Sequence, residues 1–163
     1  MRRILIFGNS GSGKSTLAAR LSSEGGLAHL ELDSLAWLPE QPPQRMPLAD
    51  SARLLREFTS KNQGWVIEGC YTDLLEILAA EATELVFLKL EVGQCIENAR
   101  SRPWEPHKYE SKEAQDANLE MLLEWIAQYE SRDDFFSLAA HTKFFDDFAG
   151  AKTCLLNNDH AFQ

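Results

Sequence analysis

The chain has 163 residues, 44% of them hydrophobic and 25% charged, with a net charge of −9 at pH 7. This length and composition fit one globular domain and exclude a disordered or fibrous chain. The acidic balance argues against a broad basic face for nucleic acid. Three scattered cysteines, Cys70, Cys95 and Cys154, with no CxxC pair, exclude a zinc ribbon or disulfide framework.

The N-terminus, "MRRILIFGNSG", begins like a signal peptide, but its apolar run (residues 4–7) stops too soon, and no later stretch approaches membrane-spanning length. A cytoplasmic protein with no membrane partner is expected, and residues 4–7 form a first strand. "GNSGSGKS" (8–15) follows and satisfies G-x-x-x-x-G-K-[ST] through Gly8, Gly13, Lys14 and Ser15. Glycines let backbone N–H groups converge on an anion, and a helix opening at Lys14 aims its positive end at the same point. Gly8, Asn9, Ser10, Gly11, Ser12, Gly13, Lys14, Ser15 and Thr16 are therefore assigned to a nucleotide triphosphate. Lys14 reaches the β/γ-phosphates and Ser15 ligates magnesium. A dinucleotide fingerprint is the rival reading, with Gly11 and Gly13 as its first glycines and Asp33 as its ribose acid. Thr16 stands where that fingerprint wants Gly or Ala, and Lys14 and Ser15 have no role in it.

Residues 14–24 carry helical spacing, and 27–32 ("LAHLEL") form the second strand. Its end places Glu31 and Asp33 two apart, hence on one side of an extended chain. Asp33 is expected beside the phosphates, to hold a magnesium water or to accept a proton from the acceptor hydroxyl. "LAWLPEQPPQRMP" (35–47) holds four prolines, which rule out regular helix or sheet. With the helix 48–61 it makes an acceptor-side flap spanning 35–63, in which Trp37 and Arg45 line the pocket.

Strand three, "WVIE" (65–68), ends on Glu68, where a carboxylate beside the first strand serves the metal or the substrate. Gly69, Tyr71 and Asp73 follow. Tyr71 joins the acceptor side, and Asp73 serves there or as the cap of the helix 72–82. Strand four (85–90) leads into a helix over 93–102, and Arg100 and Arg102 close it. "SRPWEPHKYESKEA" (101–114) is a polar, proline-containing lid that also holds His107 and Lys108. One of the two arginines is expected to neutralise charge on the transferred group. A helix over 114–129 follows, and residues 115–149 serve as core and cover. A last strand over 153–157 completes a β-α-β-α rhythm, so an α/β fold of about five parallel strands with helices on both faces is expected. "NNDH" (157–160) lacks the lysine of a guanine-binding N-K-x-D motif, which disfavours a GTPase switch.

Taken in order, "GNSGSGKST", "HLELDSLAWLP", "GWVIEGCY" and the arginines before a short lid resemble the small shikimate-kinase-like and adenylate-kinase-related P-loop family. That group includes bacterial proteins labelled as modulating DNA topology. The resemblance spans nearly the whole chain and implies ATP, Mg²⁺, a five-stranded parallel sheet and a small-molecule acceptor. Glu31 and Asp33 stand as E-x-D where shikimate kinases show D-x-D, and Glu68-Gly69-Cys70 replaces their glycine triplet. The F-R-x-x-E of shikimate kinases and the D-G-[FY]-P-R of adenylate kinases have no counterpart.

The expectation is an ATP-dependent phosphotransferase in one domain, monomeric or homodimeric, acting on a small metabolite or nucleotide. Lys14, Asp33, Arg100 and Arg102 are its catalytic candidates. Glu31, Asp33, Trp37, Arg45, Glu68 and Tyr71 contact the acceptor, and Ser15, Asp33 and Glu68 hold the metal. The alternative is an ATP-binding regulatory module that hydrolyses slowly or not at all.

Overall fold

A computed structural model describes residues 1–159. Five strands, β1 (Arg3–Gly8), β2 (Ala28–Glu31), β3 (Trp65–Glu68), β4 (Glu84–Leu88) and β5 (Ala151–Leu155), form one parallel sheet in the order β2-β3-β1-β4-β5. Between them run α1 (Lys14–Gly25), α2 (Asp33–Ala36), α3 (Leu48–Lys61), α4 (Thr72–Leu78), α5 (Val92–Arg100), α6 (Lys112–Ala127) and α7 (Leu138–Asp147). The fold is the expected three-layer α/β sheet. Among the described residues no helix is long and apolar enough to cross a membrane.

Alternation along the strands divides the apolar side chains between two cores. Leu5, Phe7, Trp65, Ile67, Leu85 and Phe87 join Leu55 of α3, Leu74 and Leu78 of α4, and Phe144 of α7. Ile4, Ile6, Val66, Val86 and Leu88 join Leu17 and Leu21 of α1, Cys95 of α5, and Ile126 of α6. Phe7 stacks on Phe87 at 4.9 Å between centroids, and Phe144 meets Phe7 edge-on at 5.1 Å. The same period of two sends Glu68, two residues beyond Val66, to the face that carries α1.

Register fixes what shares the carboxyl edge of the sheet. Glu31 pairs with Glu68 across β2 and β3, and Ile6 pairs with Glu68 across β1 and β3. The loop that follows β1 therefore opens beside both carboxylates.

Several elements differ from expectation. β2 ends at Glu31, and Asp33 opens the short helix α2 instead of prolonging the strand. The strand rule that put Glu31 and Asp33 on one side therefore does not apply to them. The helix expected over 72–82 ends at Leu78, where the chain turns through N–H bonds of Glu81 and Ala82 to the Leu78 carbonyl. The cover segment 115–149 is two helices, because the Ser137 side chain accepts from the Ala140 N–H and starts α7 afresh. β5 lies two residues earlier than expected. It is an edge strand, exposed over Ala151–Cys154, so pairing with β4 sets its span and apolar content does not.

Candidate active site

The loop between β1 and α1 is shaped by backbone conformations that few residues adopt. Gly11 has φ 78°, and a Cβ there would lie 2.4 Å from the Cys95 carbonyl oxygen of α5. Gly13 has φ 92° and would meet the Asn158 amide at 2.9 Å. The loop carbonyls are tied outward. The Asn98 amide donates to the Gly11 carbonyl at 2.8 Å and to Asn158 Oδ1 at 2.9 Å. Asn158 Nδ2 donates to the Ser12 carbonyl at 3.0 Å. Lys14 Nζ donates to the Asn9 carbonyl at 2.8 Å, and Asn9 Nδ2 donates to the Ile126 carbonyl of α6 at 3.2 Å.

This geometry fits a phosphate chain. Gly13 is the N-cap of α1 and has no side chain to cap it, so the first N–H groups of the helix are not taken up by a capping side chain. The Ser12 hydroxyl is fully buried and has no hydrogen-bond partner among the described residues. Ser15 Oγ donates to Glu68 Oε1 at 2.9 Å, which sets a hydroxyl and a carboxylate together as hard oxygen donors. No group of three or more His, Cys, Asp or Glu that could hold a metal exists among the described residues. A magnesium ion here would draw its other oxygens from phosphate and water. Ser10 is half-buried beside the loop, and Thr16 is exposed on α1.

Glu68 is 4% exposed. Burial pushes its carboxyl pKa up to about 7, and the charges of Asp33 and Glu31 push the same way. The Lys14 ammonium and the Ser15 hydrogen bond oppose that rise. Nucleotide loop and strand tips are thus electrically joined at one residue.

The acceptor-side candidates are also brought together, by side chains from several segments. Tyr71 OH donates to Asp33 Oδ1 in a very short contact, and Trp37 Nε1 donates to the Tyr71 oxygen at 2.9 Å. Burial, together with the nearby Asp33 carboxylate, raises the Tyr71 pKa far above that of a free phenol, so Tyr71 stays a donor. Arg45 reaches across from the proline-rich stretch, pairing with Asp73 at 2.9 Å and donating to the Ala36 carbonyl at 3.2 Å. Its guanidinium also lies 5.0 Å from the Tyr71 ring centroid and 5.6 Å from that of Phe136.

The cations beside these acids are not the two arginines singled out in the sequence. Arg100 pairs with Glu97 of its own helix at 3.2 Å, and Arg102 pairs with Glu105 at 3.6 Å. Lys108 lies 3.5 Å from Asp33, and His107 lies 3.6 Å from Glu31. Burial works against the Lys108 ammonium, but Asp33, Glu105 and Glu31 together hold its pKa above the ordinary lysine value. The segment between α5 and α6 therefore touches both acids even though Asp33 is outside the strand.

Three contributors were not found in the sequence. Asn98 and Asn158 brace the loop carbonyls, and a lone asparagine at either position gives no local signal. His141 of α7 is fully buried, and burial pushes its pKa down to about 4, so it is neutral. Its Nε2–H donates to the Cys70 carbonyl at 2.8 Å, which leaves Nδ1 to accept from Tyr129 OH at 2.7 Å. That chain pins the turn after Glu68 to α7. Of "NNDH", Asn158 braces the loop, while His160 lies outside the described residues.

The family model for an AAA domain matches residues 4–118. The uncharacterized protein YqaC of Bacillus subtilis (strain 168) is 28% identical over 135 residues, which cover 80% of this chain and 74% of YqaC. Shikimate kinase from Acinetobacter baumannii, solved in complex with shikimate, superposes with a TM-score of 0.59 at 17% identity, covering 99% of this chain and 86% of the kinase. An unliganded sugar kinase from Janibacter sp. HTCC2649 gives a TM-score of 0.52 at 15% identity, covering 95% and 84%. At those identities the two structures establish the fold.

Proposed function

The chain belongs to the AAA domain family and has the fold of the small P-loop kinases, and from that premise we propose that it transfers the γ-phosphoryl of ATP to a hydroxyl or phosphate of a small molecule. The observation that carries this reading is the Ser15–Glu68 hydrogen bond. It joins the nucleotide loop to a carboxylate whose neighbours, Glu31 and Asp33, face the acceptor side.

In this scheme residues 8–16 hold the triphosphate, with Lys14 on the β/γ-phosphates. Ser15 and Glu68 would hold magnesium, which would supply neutralisation of the phosphate oxygens. Asp33 accepts the proton of the attacking hydroxyl or fixes its direction, and the Tyr71 hydroxyl holds one carboxylate oxygen in place. Trp37 and Arg45 shape the acceptor wall together with Tyr71. Residues 101–114 act as a lid and 35–63 as a flap. Arg100 or Arg102 reaches the transferred group only if the lid moves away from the pairs each arginine makes here.

The test is ADP release measured against a panel of nucleotides, sugars and hydroxy acids. Stimulation by one chemical class supports transfer to it. A second reading, an ATP-binding regulatory module, is favoured by one observation: Asp33 and Glu31 are already engaged by Lys108 and His107. It predicts tight ATP binding with no acceptor able to stimulate turnover.

A further inference from the structure

The turn from Glu68 to Thr72 carries the two side chains that join the halves of the candidate site: Glu68 meets Ser15, and Tyr71 meets Asp33. Its backbone is held from outside. At one end the Gly69 N–H donates to the Ile6 carbonyl at 3.1 Å, and at the other the Thr72 N–H donates to the Phe135 carbonyl at 3.2 Å. A Cβ on Gly69 would lie 2.8 Å from the Leu32 Cβ, so the turn abuts the residue just before Asp33. Between these points the Cys70 carbonyl accepts from His141 Nε2 at 2.8 Å.

His141 comes from α7 and is fully buried. Its ring stands nearly edge-on to Phe7 at 5.7 Å and to Phe87 at 5.9 Å, so the sheet sets the plane of the imidazole. A carbonyl only accepts, so Nε2 carries the proton, and Nδ1 of the neutral ring is left to accept from Tyr129 OH. Tyr129 lies just past the end of α6. Its N–H donates to the Ile126 carbonyl at 3.2 Å, and its own carbonyl accepts from the Leu138 N–H of α7 at 3.0 Å. The Ile126 carbonyl also accepts from Asn9, whose carbonyl accepts from Lys14.

Hydrogen bonds thus run in series from Lys14 through Asn9, Ile126, Tyr129 and His141 to Cys70, midway between Glu68 and Tyr71. Packing between Phe7 and Phe87 asks only for a ring at position 141. The imidazole adds a donor of fixed direction on one side and an acceptor on the other, and an apolar ring would leave both partners buried and unpaired.

We propose that His141 is a positioning residue of the transfer site: through the Cys70 carbonyl it holds residues 69–71 where Glu68 reaches Ser15 and Tyr71 reaches Asp33. The inference rests on the kinase reading for its kinetic consequence. Loss of the Nε2 donor lowers turnover and spares nucleotide binding, because Asn98 and Asn158 anchor the loop separately.

The test compares His141→Gln, whose amide reaches the Nε2 position and donates to the Cys70 carbonyl, with His141→Asn, whose shorter amide reaches only the Nδ1 position. Each variant gives up one hydrogen bond, so a role in packing alone affects both alike. Three quantities are measured: magnesium-ADP affinity, ADP release from magnesium-ATP with water or the most stimulating acceptor of the panel, and the NMR signal of the Trp37 indole N–H, which donates to the Tyr71 oxygen. His141→Asn should lower kcat by about tenfold or more and move the Trp37 signal, with ADP affinity within about twofold of wild type. His141→Gln should keep kcat within about threefold and leave the signal in place. Tyr129→Phe frees Nδ1 while keeping the ring, and should move the signal the same way with about a threefold loss in kcat, which keeps the test readable if His141→Asn fails to fold. The inference is overturned if the Trp37 signal stays put in His141→Asn or Tyr129→Phe, if His141→Gln loses as much as His141→Asn, or if ADP affinity falls along with kcat. A wild type that neither binds ADP nor releases it fails the kinase reading, and the Trp37 signal still decides whether His141 sets the turn.

Discussion

The loop of residues 8–13 and the proposed acceptor wall both meet Glu68, and they are built by different means. The loop is held through its own backbone: three positive-φ glycines, Gly8, Gly11 and Gly13, shape it, and outlying side chains tie off its carbonyls. The proposed acceptor wall is made of side chains from α2, the proline-rich stretch, the turn after β3 and the segment between α5 and α6. A backbone cradle presents the same donors whatever side chains surround it, which suits a ligand part common to many enzymes. A wall of side chains changes with each substitution, which suits a part that differs. Chemistry common to a family is therefore expected on the loop side and individuality on the other.

Substitutions on either side and at the joint sharpen this contrast. The largest effect belongs to Lys14→Ala. Acceptor-dependent turnover should fall by about a thousandfold or more while the thermal melting curve stays close to wild type, because Lys14 is half-exposed and hydrogen-bonds the Asn9 carbonyl of its own loop. Substantial remaining turnover would deny the loop its role.

Next is Glu68→Gln, read as stability against pH. With its pKa raised to about 7, folded Glu68 keeps a proton that the unfolded chain releases near pH 4.5. The folded state binds more protons between those values, so this residue lowers stability as pH rises through that window and makes no further change above it. Gln keeps an acceptor for Ser15 and carries no charge. The variant should gain roughly 3 kcal/mol over wild type at pH 8, with the gain fading below pH 5. Denaturant melts at the two pH values check it, and a variant less stable at pH 8 contradicts the account. Magnesium-dependent turnover should be lost in the same protein.

The smallest of the three is Asp33→Asn, with about a hundredfold loss in kcat and little change in ADP affinity, measured by steady-state kinetics beside a direct titration. An equal loss in ADP affinity would place Asp33 on the nucleotide side and dissolve the division drawn here.

The two regions also differ in how far they are legible in the sequence. "GNSGSGKS" names its shape outright, because glycine, lysine and hydroxyl at that spacing have few other uses. The β3 acid was legible too, since an apolar run ending in Glu68 places a carboxylate at the edge of the sheet. The reading of Asp33 rested on an incomplete reason. It was expected as an extension of β2 and instead opens α2, where Tyr71 and Lys108 meet it. Arg100 and Arg102 stood out as charge at a helix end, yet charge density does not say which way a side chain turns. Both turn to glutamates of their own neighbourhood, and Lys108 and His107 face the acids. Asn98, Asn158 and His141 gave no signal, because each acts on a segment far from it in the chain.

The sequence by itself determined the parallel sheet, the phosphate loop and the carboxylates at the strand tips, all consequences of residue type within a few positions. Tertiary structure alone decided which cation meets which acid and what braces the loop. The physical reason is range. Backbone conformation and side-chain alternation are set between near neighbours, whereas hydrogen bonds and ion pairs depend on where distant segments come to rest.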